Sequence, residues 1–170
     1  EEYHHNEAIV ARFIEEAQVT AQLQHPGIAP VHEIGRTRDG RLYFTMKEIR
    51  GRTLRDAIEE VHEVSSRIWR VAESGWSFRR LMETYLKICE AIAYTHKKGV
   101  VHRDLKPDNI MLGDLGEVLV VDWGLVKVAG REKRDSDAFL EQVESVRSRS
   151  NLHDTHTGAI SGTPAYMAPE

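Results

Sequence analysis

Near the start of the chain Ile9, Phe13, Ala17 and Ala21 recur at every fourth position, and Val10 and Ile14 widen the stripe. This is the period of an amphipathic helix. Asn6 offers an N-cap and His25-Pro26-Gly27 a stop, so a helix is expected over 7–23. Two extended segments follow, 29–35 and 41–49, separated by the turn signal Asp39-Gly40. Thr53 is a good N-cap for a short helix to about residue 64, and 65–77 reads as a polar connector. The longest helix is expected over 78–98, with Leu81, Tyr85, Ile88, Ile92 and Thr95 on one face and Lys97, Lys98 and Gly99 suited to its C-terminus. Cys89 on that helix reads as a small buried hydrophobe. Strand-like stretches at 110–112 and 117–121 are joined by a turn between Gly113 and Gly116. Over 131–154 charge and serine dominate, so a surface insertion is expected there, before Gly162-Thr163-Pro164-Ala165-Tyr166-Met167-Ala168-Pro169-Glu170.

Composition narrows the class. The chain has 170 residues, 41% of them hydrophobic and 29% charged, which is globular rather than disordered. Its net charge of −4 provides no strongly basic field, so neither nucleic acid nor membrane contact is expected of this segment. The one cysteine excludes an internal disulfide framework and a multi-cysteine zinc site. Scattered histidines (His4, His5, His62, His153, His156) form no ordered ligand set. Apolar runs fall far short of the ~20 residues of a membrane span, and no secretory signal opens the chain, so a cytoplasmic location is expected.

The chemistry concentrates in His102-Arg103-Asp104-Leu105-Lys106-Pro107-Asp108-Asn109, followed at a distance by Asp122-Trp123-Gly124. Asp104, in a loop just after an extended segment, can project a carboxylate into a cleft. Lys106 can place an ammonium beside a transferring phosphate, and Asn109 and Asp122 are oxygen donors on the two arms of a tight hairpin, the kind that hard magnesium favours. Singly, Asp, Lys and Asn in a turn are better explained by turn chemistry and solvation. As a set, in this order and ahead of Ala168-Pro169-Glu170, they resemble the catalytic-loop, metal-loop and activation-segment signatures of the eukaryotic-like serine/threonine protein kinases, in the bacterial type. The resemblance runs along essentially the whole chain.

The resemblance implies an α+β kinase-like fold: a partial small lobe and hinge at 1–49 (helix C with the fourth and fifth strands), large-lobe helices, catalytic loop and hairpin at 50–121, and an activation segment at 122–170. It implies transfer of the ATP γ-phosphate to serine or threonine hydroxyls of proteins, with ATP and Mg2+. Asp104 would be the catalytic base, Lys106 would contact the γ-phosphate, and Asn109 and Asp122 would bind metal. Glu16 would pair with a phosphate-anchoring lysine. Met46 would be the gatekeeper, with Lys47 and Ile49 facing adenine through backbone groups and Met111 packing beneath it. Arg103 marks kinases whose activation segment is ordered by phosphorylation, for which Thr155 and Thr157 are the candidate acceptors, with Ser161 behind them. Thr163 would position substrate by bonding to Asp104 and Lys106, and His102 would hold the backbone near Asp122. A dimer phosphorylating itself in trans fits the family.

Two departures stand out. Trp123 replaces the usual phenylalanine of the metal loop. No G-x-G-x-x-G and no V-A-I-K-like strand occur, so the chain reads as a fragment of a longer kinase gene, expected to be inactive by itself. The alternatives are a pseudokinase or scaffold binding module and a small-molecule phosphotransferase; the protein-docking signature around Ala168-Pro169-Glu170 counts against the second.

Overall fold

The computed structural model describes residues 7–123, 127–128 and 163–167. The insertion expected over 131–154, Asn6, Thr155, Thr157 and Ser161 lie outside the described residues.

Helix α1 (Glu7–Gln22) leads into strands β1 (Val31–Arg36) and β2 (Leu42–Met46), an antiparallel hairpin that pairs Val31 with Met46 and, after a register shift between Val31 and Glu33, runs from Glu33 opposite Thr45 to Arg36 opposite Leu42. The turn between them closes as Asp39-Gly40 predicts: Thr37 receives the Gly40 amide and Arg41 is paired with Asp39. Phe13 of α1 packs on Phe44 of β2, ring centroids 5.1 Å apart. Gly27, after α1, lies so close to the long helix that a Cβ there would stand 2.9 Å from the Cβ of Ala91. Its carbonyl accepts from the Val120 amide at 2.8 Å, and the Gln24 amide donates to the Tyr94 hydroxyl at 3.0 Å. These contacts tie the end of α1 to the rest of the fold.

Strand β3 (Gly51–Thr53) runs directly into helix α2 (Leu54–Val64). Thr53 and Asp56 form a reciprocal capping box, each side chain accepting from the other's backbone amide, which satisfies donors that a helix start leaves open. Helix α3 (Phe78–Lys97) is capped by Ser77. Strand β4 (Val100–Val101) follows, then β5 (Ile110–Gly113) and β6 (Val118–Val120), and β7 (Lys127–Val128). The sheet β3-β5-β6 is antiparallel, and β4 pairs with β7. Leu54, Ala57 and Val61 of α2 and Leu81, Ile88 and Ala91 of α3 join Ile110, Leu112 and Val120 in one buried core.

Three readings of the sequence need correction. Tyr85, expected on the buried face of α3, is 62% exposed; Thr84 and Ala91 take the core instead, and Ile92 is only partly buried. The buried stripe is rotated by a fraction of a turn, which a face of mixed Tyr, Thr and Ala does not reveal. Cys89 is exposed, because one position beyond the buried Ile88 turns the side chain about 100° away from the core. The 65–77 connector is more than polar: Ala72 and Trp76 are buried, and the Arg80 guanidinium covers the Trp76 ring at 4.3 Å.

Candidate active site

The site is assembled where the β5–β6 hairpin meets the loop that follows β4. Ile110 pairs with Val120, and the Val121 amide donates to the Asn109 carbonyl at 2.9 Å, so the ladder continues one step past the strands. Asn109 and Asp122 therefore leave neighbouring ends of the two arms. Among the described residues the Asp122 carboxylate has no ion pair, and the Asn109 carbonyl oxygen Oδ1 accepts no hydrogen bond. Asn109, itself buried, spends its amide on Asp104, donating to the backbone carbonyl at 2.9 Å and to Oδ2 at 3.3 Å.

Asp104 is the hub. Thr163 Oγ1 donates to Oδ1 at 2.7 Å, and Lys106 Nζ lies 3.0 Å from Oδ2. The same ammonium donates to Thr163 Oγ1 at 2.9 Å, closing a triangle between residues far apart in sequence. The carboxylate side chain is 12% exposed. The Thr163 hydroxyl and then the Lys106 ammonium hold its pKa down at about 2, because both stabilise the ionised form.

Backbone strain and a histidine frame the hub. Arg103 and Asp122 have φ of 69° and 61°, the left-handed region, at a cost on the order of 1–3 kcal/mol each. His102 spans the two turns that contain them. Its Nε2 bonds to the Val121 carbonyl at 3.0 Å and its Nδ1 accepts from the Asp104 amide at 3.3 Å, which fixes the neutral tautomer protonated on Nε2. Burial pushes its pKa below the ordinary imidazole value, in keeping with that neutral form. Trp123 packs on His102 with centroids 4.6 Å apart and is 2% exposed. Its Nε1 is buried and has no hydrogen-bond partner among the described residues.

The residues expected to face a nucleotide come from several elements. Met46 ends β2 and is exposed. The Lys47 amide is spent on the Pro30 carbonyl at 3.1 Å, one residue beyond Met46, which leaves its carbonyl as the backbone group open to a base. Lys47 Nζ bonds to Glu117 at 2.8 Å, a contact no local pattern signals. Ile49 makes no backbone hydrogen bond to the described residues. Met111 lies half-buried in β5, opposite Leu119 and Thr53. Glu16 is half-buried on α1, beside the buried Glu15. Thr155 and Thr157 fall outside the described residues, and the Arg103 side chain makes no hydrogen bond or ion pair among the described residues. Sequence reasoning passed over Arg55 and Asp108, which form a two-pronged ion pair (Nε to Oδ1 2.5 Å, Nη2 to Oδ2 2.7 Å) beside the hub. Asp108 lay inside the motif, but its partner stands 53 residues upstream.

The hairpin thus ends in Asn109 and Asp122, beside an aspartate held by a lysine and a threonine. The protein kinase domain profile matches residues 1–170, and the chain belongs to that family. It is 40% identical to serine/threonine-protein kinase PknD of Protochlamydia amoebophila over 95% of its length, and 39% identical to PknD of Chlamydia pneumoniae over 97%. PknD of Chlamydia trachomatis serovar L2b is 42% identical, again over 97% of the chain. The chain spans 16%, 17% and 18% of these relatives, respectively.

Proposed function

We propose that the protein carrying this chain transfers the γ-phosphate of ATP to serine or threonine hydroxyls of proteins. The observation that supports this most is the occupancy of the Asp104 carboxylate. A carboxylate offers about four lone-pair positions. Thr163 takes one on Oδ1, and Lys106 and Asn109 take two on Oδ2. One position on Oδ1 is left for an incoming hydroxyl, next to a threonine that fixes the carboxylate's rotation.

Asp104 aims the acceptor hydroxyl by accepting its hydrogen bond, and takes the proton as the new O–P bond forms and the bond to the leaving ADP oxygen breaks. With its pKa near 2 it is a weak base, so its main work is orientation, which suits a loose transition state with little need for early deprotonation. Lys106 offsets negative charge gathering on the transferred group. Asn109 Oδ1 and the Asp122 carboxylate are hard oxygen donors, the first accepting no hydrogen bond and the second making no ion pair among the described residues, and they fit Mg2+; they would hold it. When bound, the metal neutralises the phosphate oxygens. Lys106 is also the residue that serine/threonine kinases carry at this place. The same reading places the chain in the cytoplasm, with ATP, and gives it protein substrates.

The alternative is a scaffold that binds partners through the same surface. Labelled phosphate separates the two. The protein carrying this chain should transfer it from ATP to serine or threonine of a generic protein acceptor. Asp104→Asn should lower the rate by about 10²–10⁴-fold while nucleotide binding persists. Wild-type rates in that variant would remove Asp104 from its role, and a wild-type protein without transfer would favour the scaffold.

A further inference from the structure

We propose that Arg55 is a positioning residue: its guanidinium fastens Tyr166 to Asp108 and so fixes the orientation of the acceptor-side turn against Asp104. The inference rests on the kinase reading above. Arg55 sits in the first turn of α2, set there by the Thr53–Asp56 capping box. Its Nε and Nη2 grip the two oxygens of Asp108, and Nη2 also donates to the Tyr166 hydroxyl at 2.8 Å, across 111 residues of sequence. Glu59 lies 3.8 Å from Nη1.

These bonds complete a ring. Asp104 holds Thr163; the 3-10 turn Pro164–Tyr166, closed by the Tyr166 amide donating to the Thr163 carbonyl at 2.9 Å, carries the chain to Tyr166. Arg55 joins Tyr166 to Asp108, and the 3-10 turn Pro107–Asn109 returns to Asn109, which bonds Asp104. One attachment at Thr163 would leave the turn free to pivot about the hydrogen bond. The second, at Tyr166, removes that freedom. Only a planar, forked donor can hold a carboxylate with two nitrogens and still offer a hydrogen to a phenol; a lysine provides a single point of attachment. The side chains of Arg55 and Asp108 are 38% and 40% exposed, so the pair adds little to global stability, and its effect belongs in geometry. Since Thr163 and Tyr166 flank the acceptor side of Asp104, loosening them should weaken capture of the acceptor without disturbing the nucleotide side.

The test uses Tyr166→Phe, Arg55→Gln and the double variant in the protein carrying this chain. Tyr166→Phe keeps the ring and the ion pair, and removes one hydroxyl. Each single variant should raise KM for the protein acceptor by about tenfold, the loss of one charge-assisted hydrogen bond, with KM for ATP and the unfolding midpoint unchanged. The double variant should be no worse than Arg55→Gln, because both remove the same bond. Hydrogen exchange of the Tyr166 and Met167 amides should quicken in all three. Additive effects, or KM for ATP rising in step with that for the acceptor, would overturn the proposal. If the wild-type protein transfers no phosphate, the kinase reading falls on its own, and exchange still decides about the strut: quickened amides support it, unchanged amides refute it.

Discussion

The β5–β6 and β1–β2 hairpins are both antiparallel pairs closed by a glycine-bearing turn, yet they differ in what covers them. Ile110, Leu112, Leu119 and Val120 are buried, with β3 on one edge and both α2 and α3 contributing to the same core. Along β1 and β2 no side chain is fully buried, and Ile34 stands exposed. The residues that need fixed mutual geometry, Asn109 and Asp122, leave the covered hairpin. Those expected to meet an adenine ring through backbone groups and a flat surface, Met46 and Lys47, end the open one. Tight packing therefore lies under the atoms where a small displacement would matter most, because a close-packed core transmits position as well as stability.

Removing packing should separate the hairpins. Ile110→Ala is expected to cost about 2–5 kcal/mol in urea unfolding, against less than about 1 kcal/mol for Ile34→Ala. Equal losses would dissolve the contrast. The covered hairpin should also be the less forgiving in its backbone. A Cβ on Gly51, at φ 148°, would stand 1.9 Å from the Leu112 carbonyl oxygen. Gly51→Ala should cost about 3 kcal/mol and push β3 off β5, visible as lost amide protection over 110–113. A tolerated alanine there would mean that β3 is not held as described.

The smallest effect is a pH slope. Burial keeps folded His102 below the ordinary imidazole pKa, so the unfolded chain takes up a proton first as pH falls. Its contribution to stability is therefore complete above about pH 6.5 and shrinks as pH drops from there towards the folded value, by at most about 1.4 kcal/mol per pH unit. Unfolding measured from pH 7.5 to 5 should show this slope, and His102→Gln should flatten it. An unchanged slope would place the titrating group elsewhere.

Much of the covered region was legible because its signals are local. Thr53 stands as an N-cap before the apolar positions of α2, and the hairpin's apolar runs flank Gly113 and Gly116. The chemistry of Asp104, Lys106, Asn109 and Asp122 is carried by fixed spacing along a short stretch. Strands β3 and β4 are three and two residues long, too short to show a period of two. Trp76 was hidden by its Gly, Ser and Glu neighbours, and the Arg52 and Arg80 guanidiniums that lie over its ring are contacts of the folded state. The Lys47–Glu117 and Arg55–Tyr166 contacts join residues 70 and 111 positions apart, and nothing in either neighbourhood announces the other. Trp123 was visible as a departure from the family pattern, whereas its Nε1, without a partner among the described residues, emerges only from the packing on His102.

The central claim is that Asn109 and Asp122 face one metal beside Asp104. Manganese in place of magnesium, added with ATP to the protein carrying this chain, tests it through nuclear relaxation. The account predicts that the Asn109 side-chain amide and the Asp122 backbone amide broaden together, and that Asp122→Asn weakens both. Broadening of only one, or of neither while nucleotide is bound, would contradict it.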